Sequence, residues 1–320
     1  MIVRWGIDSL PGVLDELGCS APYLLATSRH GGLASQVGRW SELPTDDIAA
    51  IAATLGSADA LVALGGGSSI DTAKAVSAET GLPVISVPTT YSGAEWTPFF
   101  GVRDQERRQR GGGAGATVAG IVYEPELTLG LPRGVTVGTA LNALAHCAEA
   151  LYVKERNEEA DQHALEGARL ISTWLPRVVA REGDRLQART ELLRGACEAG
   201  AALGRSMLGL GHALAQALGG RYGLPHGAMN ALCLPPALRF NAEVVPEAVA
   251  RLGIALGTED PASRVEELAS LAGFERLRDF GVPEDELDDV AEAVVVRAGA
   301  RSNPRQASVT EVAELLRSIW

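Results

Sequence analysis

The chain of 320 residues is poor in aromatic side chains, which account for 5% of it, and it contains only four cysteines. The cysteines form no CxxC pair, which argues against a disulfide framework and against a cysteine-ligated metal. They stand far apart, at Cys19, Cys147, Cys197 and Cys233. We therefore predict free thiols, with Cys147 and Cys197 buried in helices, and a reducing cytoplasmic compartment.

Long apolar runs and an excess of basic residues are also missing. No stretch approaches the roughly 18 uncharged apolar residues of a membrane helix, and the N-terminal MIVRWGIDSL lacks the apolar segment of a signal peptide. The 28 Lys and Arg residues are outnumbered by 40 Asp and Glu residues, whereas a nucleic-acid surface needs a clustered basic face. The one dense basic run, Arg103–Arg110, is predicted to be a solvated loop. These absences predict a soluble, cytoplasmic protein without a nucleic-acid or membrane partner.

The first part of the chain alternates short apolar runs with helical segments. The apolar runs show no polar alternation, which is typical of parallel strands buried on both faces. The predicted strands are Pro22–Thr27, Ala60–Leu64, Pro83–Val87 and Val118–Val122, and the predicted helices are Val13–Leu17, Asp46–Leu55 and Ser69–Thr80. A polar, glycine-rich stretch, Arg103–Gly115, is predicted to be a loop. We predict that residues 1–133 form an α/β nucleotide-binding domain around a parallel sheet.

The second part carries long helical periods, and β-branched runs become rare in it. The predicted helices are Val137–Val153, Glu158–Arg181, Leu186–Leu203, Leu208–Leu218, Gly227–Phe240, Ala262–Ala272, Glu284–Ala298 and Val309–Ile319. We predict that residues 134–320 form an all-helical domain that carries the catalytic and substrate-binding residues.

A glycine-rich turn, Gly65–Ser69 (GGGSS), follows the buried run Ala60–Leu64 and precedes a helix. Glycines let the backbone approach a pyrophosphate without a Cβ contact, and the helix N-terminus offers free N–H groups and the positive end of its dipole. The side chains of Ser68, Ser69 and Asp71 could cap this helix. The spacing is neither the GxGxxG of an ordinary dinucleotide-binding domain nor a Walker loop. The turn predicts a phosphate site, although a tight strand-to-helix turn would use glycine in any case.

The strand that follows ends in the polar segment VPTTYSGAEWTP, residues 87–98. The hydroxyl groups of Thr89, Thr90 and Ser92 are therefore expected at the carboxyl end of a parallel strand, where open α/β sheets bind ligands. An ordinary polar turn is the alternative for this segment.

Histidine is scarce, with five residues in the chain, and three of them lie in helical segments of the second part. Asn142 and His146 are four residues apart on one predicted helix, so they share a face. His212 lies within another helical run, and His226 begins a third after a proline. Three converging histidines could bind a divalent metal or donate a proton, whereas a lone histidine on an apolar helix is usually a core residue.

Taken together, these segments resemble the iron-containing alcohol dehydrogenase superfamily, whose fold is dehydroquinate synthase-like, and within it most closely the maleylacetate reductases. The matching segments are GGGSSIDTAKA (65–75), PTTYSGAEWTP (88–98), IVYEPELTLGLP (121–132), NALAHCAEALY (142–152), ALGGRYGLPHG (217–227), FNAEVVPEAVARLGIALG (240–257) and SNPRQASVTEVAELL (302–316). The resemblance covers nearly the whole chain. It implies an NAD(P)-binding α/β domain, a helical domain, NAD(P)H as the cofactor and a homodimer.

The resemblance also implies which residues form the site. In metal-dependent members an aspartate and three histidines hold Fe²⁺ or Zn²⁺; the histidine positions match His146, His212 and His226, but the aspartate position is Asn142. A neutral amide is a poor substitute for an anionic ligand, and maleylacetate reductases, which likewise carry asparagine there, are regarded as working without metal. We therefore predict a metal-free site with these four residues as catalytic; the three histidines would be the ligands if a metal were bound. The expected cofactor-binding residues are Gly65, Gly66, Gly67, Ser68, Asp71, Thr89, Thr90, Ser92 and Arg108.

The chain departs from the family pattern near the predicted substrate. Histidines that are usual in the family or in its reductases are replaced by Gly211, Gln216, Asn230 and Pro236, and Trp96 occupies a place usually held by methionine. We predict NAD(P)H-dependent hydride transfer to an enone or ketone of a small substrate, with or without a carboxylate. The alternatives are a metal-dependent alcohol dehydrogenase that uses the three histidines, and a redox-silent or tailoring homologue with a remodelled substrate site.

Overall fold

The computed structural model describes residues 1–106 and 108–320, and the contacts among them divide the chain into two units. Unit 1 comprises Met1–Thr90 and Ala94–Gly130, and unit 2 comprises Tyr91–Gly93 and Leu131–Trp320. The short segment Tyr91–Gly93 thus belongs to unit 2, although the residues on both sides of it belong to unit 1.

Unit 1 is an α/β unit built on a parallel sheet. Its strands are β1 (Ile2–Trp5), β2 (Pro22–Leu25), β3 (Gly38–Trp40), β4 (Ala60–Gly65), β5 (Pro83–Pro88), β6 (Phe100–Arg103), β7 (Gln109–Gly113) and β8 (Thr117–Tyr123), and its helices are α1 (Leu10–Glu16), α2 (Ile48–Thr54) and α3 (Gly67–Thr80). Within the described residues, six strands pair in the order β1-β8-β5-β4-β2-β3, and every pair in this sheet is parallel. The predicted parallel α/β architecture is confirmed.

The strands of this sheet are apolar on both faces because helices cover both. Alternate residues of a strand point to opposite faces. Along β4, Val62 lies in a core cluster with Val13 of α1, whereas Leu61 lies in a second cluster with Ile51 of α2 and Ile70 of α3. The unbroken apolar run of β4 follows from this double coverage, and polar residues are confined to the segments that follow the strands.

Two parts of unit 1 differ from the sequence prediction. The predicted loop Arg103–Gly115 contains strand β7, which pairs antiparallel with β6. The loop prediction was wrong because every residue of β7 is exposed, so no buried face imposes an apolar pattern on this hairpin. Strand β3, three residues long at the edge of the parallel sheet, was also not predicted. Arg107, within the basic run, lies outside the described residues.

Unit 2 is helical, as predicted for the second part of the chain. Its helices are α4 (Arg133–Ala150), α5 (Glu158–Ala180), α6 (Arg185–Leu203), α7 (Leu210–Tyr222), α8 (His226–Ala242), α9 (Pro246–Leu256), α10 (Pro261–Ser270), α11 (Leu287–Val295), α12 (Ala298–Ser302) and α13 (Val309–Ser318). Helices α9 and α12 were not predicted. Buried residues of α7, α8, α11 and α13 share one hydrophobic core.

Helix α4 is buried around its whole circumference from Ala140 to Ala150. A helix surrounded on all sides needs an apolar surface, and any polar side chain on it must find hydrogen-bond partners. Asn142, His146 and Glu149 are the polar exceptions in this stretch. Their spacing of four and three residues sets all three on one face of α4.

The sequence predicted cysteines without disulfides and no membrane helix. None of the four described cysteines forms a disulfide; Cys147 is buried as predicted, whereas Cys197 is only partly buried. In the part of the chain that the structure describes, no helix combines the length and the apolarity that crossing a membrane requires.

Candidate active site

The glycine-rich turn of unit 1 joins β4 to α3. Strand β4 ends at Gly65, and α3 begins two residues later, after the extended residue Gly66. No side chain caps the helix, so the predicted cap by Ser68, Ser69 or Asp71 is wrong. The N–H of Ser69 donates to the carbonyl of Gly66 at 3.0 Å, whereas the N–H groups that precede it at a helix start have no partner within the helix. The partly exposed turn therefore presents main-chain donors at the positive end of a 14-residue helix, an arrangement that binds anions.

Thr89 and Thr90 follow β5 and lie beside this turn. The N–H of Thr89 donates to the carbonyl of Gly65 at 2.9 Å. A Cβ added to Gly66 would come within 3.0 Å of Cγ2 of Thr90. The Thr90 hydroxyl oxygen is buried and has no hydrogen-bond partner among the described residues. Glycine at position 66 thus leaves a space that a side chain would fill, beside an orphaned hydroxyl.

Asp71 is held by other residues of unit 1. Its carboxylate pairs with the ammonium of Lys74 at 2.8 Å and accepts from the N–H of Gly101 at 3.2 Å. Lys74 is 1% exposed and also donates to the carbonyls of Ala94 and Phe99, so all three of its N–H bonds are used. Asp71 therefore has a structural task, and its contact with a cofactor stays a prediction.

Arg108 stands next to the β6–β7 turn. Its guanidinium is 62% exposed and pairs with Glu106 at 2.9 Å, while its main-chain N–H donates to Asp104 at 2.8 Å. An exposed ion pair of this kind is weak, so the guanidinium could exchange Glu106 for a phosphate at little cost. Its role toward a cofactor also stays a prediction.

In unit 2 the rings of three histidines gather at the polar face of α4. His146 of α4 and His212 of α7 stack with ring centroids 4.7 Å apart, and the centroids of His212 and His226 are 5.8 Å apart. Asn142, one turn before His146, is 4% exposed. The structure thus brings together the four residues that were predicted to be catalytic.

The hydrogen bonds of Asn142 define the direction of its amide. Nδ2 donates to the carbonyl of Ser92 at 2.8 Å; a carbonyl can only accept, so Oδ1 points the other way. Oδ1 accepts from Nδ2 of Asn230 at 2.7 Å and faces Nε2 of His212 at 3.2 Å. Asn230 also directs Nδ2 toward Nε2 of His226 at 3.0 Å. One backbone carbonyl therefore sets the donor and acceptor roles of four side chains.

His212 faces an oxygen acceptor on each side of its ring. Nδ1 faces Oε2 of Glu149 at 2.6 Å, and Nε2 faces Oδ1 of Asn142. Since a carboxylate oxygen only accepts, Nδ1 of His212 donates to Glu149. Both residues are buried, at 1% and 0% exposed. Glu149 was not predicted from the sequence, although its position seven residues after Asn142 was a usable signal.

His146 differs from His212 because its Nδ1 is buried without a hydrogen-bond partner among the described residues. Burial, together with the proximity of His212 and His226, lowers the pKa of His146 well below its ordinary value of about 6.5. Gly93, with a φ of 74°, lies against this nitrogen, and an added Cβ would stand 3.2 Å from Nδ1. His146 is thus a neutral imidazole with unused hydrogen-bonding capacity.

Two further buried atoms beside this network have no partner among the described residues, namely Oγ of Ser92 and Oδ1 of Asn230. Leaving a buried polar group unpaired costs about 1–3 kcal/mol. With Nδ1 of His146 they make three such atoms in the residues around Asn142. A polar ligand bound there would supply the missing partners. Ser92, predicted to bind the cofactor, thus contacts Asn142 in unit 2.

The segment Tyr91–Gly93 is fixed by an arginine that the sequence did not reveal. Arg189 of α6 is 9% exposed and donates from Nη1 to the Tyr91 hydroxyl and to Oγ1 of Thr136, both at 3.0 Å. The N–H of Tyr91 donates to Oγ1 of Thr139 at 3.3 Å. Arginine on a helix is usually exposed, so nothing in the sequence around Arg189 distinguishes it.

The donor set does not fit the Fe²⁺ or Zn²⁺ that metal-dependent members of the resembled superfamily hold. A divalent ion needs donor atoms with free lone pairs directed at one point. Oδ1 of Asn142 already accepts a hydrogen bond from Asn230, and an amide oxygen lacks the charge of the anionic ligand that such an ion requires. Over residues 1–106 and 108–320, no three His, Cys, Asp or Glu side chains form a group that could hold a metal. The residues form a hydrogen-bonded network.

Comparison with known proteins agrees with this architecture. Residues 136–320 match the model of the Fe-containing alcohol dehydrogenase family, C-terminal, and residues 25–119 match that of iron-containing alcohol dehydrogenase. The maleylacetate reductase of Burkholderia cepacia is 40% identical over 239 residues, which are 74% of this chain and 68% of that protein. The maleylacetate reductase of Sphingobium indicum is 36% identical over 332 residues, covering 98% of this chain and 94% of that protein.

A solved structure gives the same result. The crystal structure of maleylacetate reductase from Rhizobium sp. strain MTP-10005 superposes with a TM-score of 0.89 at 31% identity, covering 100% of this chain and 95% of that one. Matches to the family models, to curated reductases and to this fold all point the same way. The chain therefore belongs to the iron-containing alcohol dehydrogenase family and is an oxidoreductase similar to the maleylacetate reductases.

Proposed function

We propose that the chain is an NAD(P)H-dependent reductase of the maleylacetate reductase type that works without a metal. It would transfer hydride to an enone or ketone of a small substrate, with or without a carboxylate. His146 carries the proposal, because it is buried, neutral and stacked on His212, and its Nδ1 has no partner among the described residues. The N–H of a neutral imidazole can polarise a carbonyl oxygen as negative charge develops on it.

NAD(P)H is the proposed cofactor, and it supplies the hydride when bound. The main-chain N–H groups at the start of α3 would hold its pyrophosphate, in the space that Gly66 leaves open beside Thr90. Lys74 and Asp71 would hold α3 in place, and the exposed guanidinium of Arg108 would add positive charge. The residues of this turn therefore fit a dinucleotide.

Reduction of an enone or ketone consumes one proton in addition to the hydride. His226 is the partly exposed member of the three histidines, so it can exchange protons with water, and we assign the proton supply to it. Asn142 would act as a positioning residue, because its amide links His212 and Asn230 to the Ser92 carbonyl. The hydrogen bonds already made by Asn142 and His212 support the metal-free chemistry.

The experiment that tests this proposal uses wild-type protein purified without chelator. Oxidation of NADH and of NADPH is followed with maleylacetate and with matched neutral enones and ketones, and bound metal is measured in the same preparation. We expect turnover of at least one carbonyl compound that survives chelator treatment and is lost in His146→Ala. Activity that requires stoichiometric metal would instead identify a metal-dependent alcohol dehydrogenase. Cofactor binding without turnover would identify a redox-silent homologue.

A further inference from the structure

Glu149 is a buried carboxylate with both of its oxygens occupied. Oε2 accepts from the N–H of Gly209 at 2.7 Å and faces Nδ1 of His212 at 2.6 Å, and Oε1 accepts from the N–H of His212 at 3.0 Å. These N–H groups belong to the start of α7, whose cap residue Gly209 offers no side chain. Glu149 thus places its negative charge at the N-terminus of a neighbouring helix, where the helix dipole favours it.

The chain leaves room for this close approach. A Cβ at Gly209 would come within 3.1 Å of Cδ of Glu149, and a Cβ at Gly211 would come within 3.0 Å of Oε1. Main-chain donors of α7 therefore hold the carboxylate independently of the orientation of the His212 ring. The oxygen that faces Nδ1 has a fixed position.

We propose that Glu149 is the positioning residue of this network. Fixed by the backbone of α7, it holds the ring of His212 through Nδ1 and so directs Nε2 toward Oδ1 of Asn142. The same contact with Glu149 fixes the orientation of the His212 ring, on which His146 stacks with an interplanar angle of 12°. Without the carboxylate, His212 could turn about its Cβ–Cγ bond, and both Asn142 and His146 would lose a fixed neighbour.

Three variants separate this role from a merely structural one. Glu149→Gln removes the charge at nearly constant volume, and Glu149→Asp keeps the charge on a shorter side chain. Glu198→Gln is the matched control, since it removes a similar contact, 2.5 Å long, from the partly exposed His163. Ring ¹⁵N spectra of the five histidines report which nitrogens carry protons, and NAD(P)H turnover reports the consequence.

In the wild type we expect the Nδ1 resonance of His212 to be that of a hydrogen-bonded N–H. In Glu149→Gln we expect this resonance to shift, because an amide replaces the carboxylate, and kcat to fall by about 100-fold, the size of effect that misplacing a group in an active site produces, with unchanged affinity for NAD(P)H. Glu149→Asp should keep the hydrogen-bonded Nδ1–H of His212 and recover part of kcat. Glu198→Gln should change the ring resonances of His163 and match the wild type in those of His212 and in turnover.

Wild-type His212 resonances and wild-type kcat in Glu149→Gln would overturn the inference. A wild-type His212 without a proton on Nδ1 would overturn it as well. If Glu149→Gln does not fold, the spectra of the wild type and of Glu149→Asp decide in the same way. The measurement of turnover rests on the proposed reductase function, whereas the spectra do not. A wild-type protein without reductase activity would therefore contradict the proposed function, and the spectra would still test the role of Glu149.

Discussion

The amide of Asn142 donates to the carbonyl of Ser92 at 2.8 Å, and this one bond fixes which way the amide points. The other end, Oδ1, accepts from Asn230 and faces Nε2 of His212 at 3.2 Å. An aspartate at this position would place its second carboxylate oxygen against the carbonyl oxygen of Ser92, and neither oxygen can donate. The contacts of position 142 therefore favour an amide over a carboxylate.

We predict that Asn142→Asp destabilises the metal-free protein by about 1–3 kcal/mol, the cost of an unpaired buried oxygen. We also predict that Zn²⁺ or Fe²⁺ raises the Tm of this variant and leaves the wild-type Tm unchanged, because the new carboxylate provides the missing anionic ligand. Calorimetry with and without metal measures both. Asn241→Asp is the matched control, since it breaks the buried amide pair of Asn241 and Asn303 and should gain no metal response. Equal metal responses in the two variants would contradict the prediction.

The depressed pKa of His146 predicts a pH dependence of stability. The folded protein keeps His146 neutral, whereas the unfolded chain binds a proton near pH 6.5, so the free energy of unfolding falls as the pH drops below about 6.5. The limiting slope is about 1.4 kcal/mol per pH unit. His146→Gln lacks this contribution, so the stability of the wild type relative to the variant should shrink between pH 7 and pH 5. Urea unfolding across that range measures it, and a difference independent of pH would contradict the prediction.

The fold was largely predictable where burial dictates the sequence pattern. The run Ala60–Leu64 is apolar throughout because helices cover both faces of the sheet, and such a run predicts a central parallel strand. The β6–β7 hairpin was missed because its residues carry charge and glycine with one exposed strand. Its pairing depends on neighbours in space, which local pattern does not encode.

The site was predictable only in part, for a related reason. The four-residue spacing of Asn142 and His146 predicted a shared helix face, and the resemblance to a family added His212 and His226. The orientation of Asn142 depends on a main-chain carbonyl 50 residues earlier in the chain. Similarly, Arg189 contacts Tyr91, 98 residues away. Contacts between residues so far apart in the chain depend on the fold and produce no periodic pattern in the sequence.

Gly93 gives a prediction about the space in front of His146. Its φ of 74° is unfavourable for alanine, and an added Cβ would stand 3.2 Å from Nδ1 of His146. We predict that Gly93→Ala loses about 1–2 kcal/mol of stability and most of its NAD(P)H turnover. Gly223→Ala is the control, because Gly223 has a φ of 69° and nothing within 4 Å of an added Cβ. It should show the stability loss with wild-type turnover, and equal loss of turnover in both variants would argue against a role for this space.

Lys74 gives a prediction about the support of the glycine-rich turn. Lys74→Met leaves the Asp71 carboxylate and the carbonyls of Ala94 and Phe99 without their ammonium, so we expect a loss of about 3 kcal/mol or more in unfolding free energy. The double variant Lys74→Met/Asp71→Asn should recover part of this loss, since no unpaired charge remains. Urea unfolding of both single variants and the double variant yields the coupling energy. Additive losses would contradict the pairing.

Gly66 allows the phosphate site to be tested apart from stability. Its φ of −80° and ψ of −175° suit any residue, so Gly66→Ala should fold. The added methyl would meet Cγ2 of Thr90 at 3.0 Å and would also occupy the space proposed for the pyrophosphate. We predict that binding of NADH and NADPH weakens by about tenfold or more, equivalent to at least about 1.4 kcal/mol.

Thr90→Ser separates the two effects of that methyl, because it removes Cγ2 and keeps the hydroxyl. In the double variant Gly66→Ala/Thr90→Ser the contact with Thr90 is relieved, so the stability lost in Gly66→Ala should return. Cofactor binding should stay weak, since the methyl still stands where the backbone would approach a phosphate. Fluorescence titration with NADH and NADPH, alongside urea unfolding, measures both quantities. Recovered binding in the double variant would mean that Gly66 serves only to accommodate Thr90, and the phosphate site would have to be sought elsewhere in unit 1.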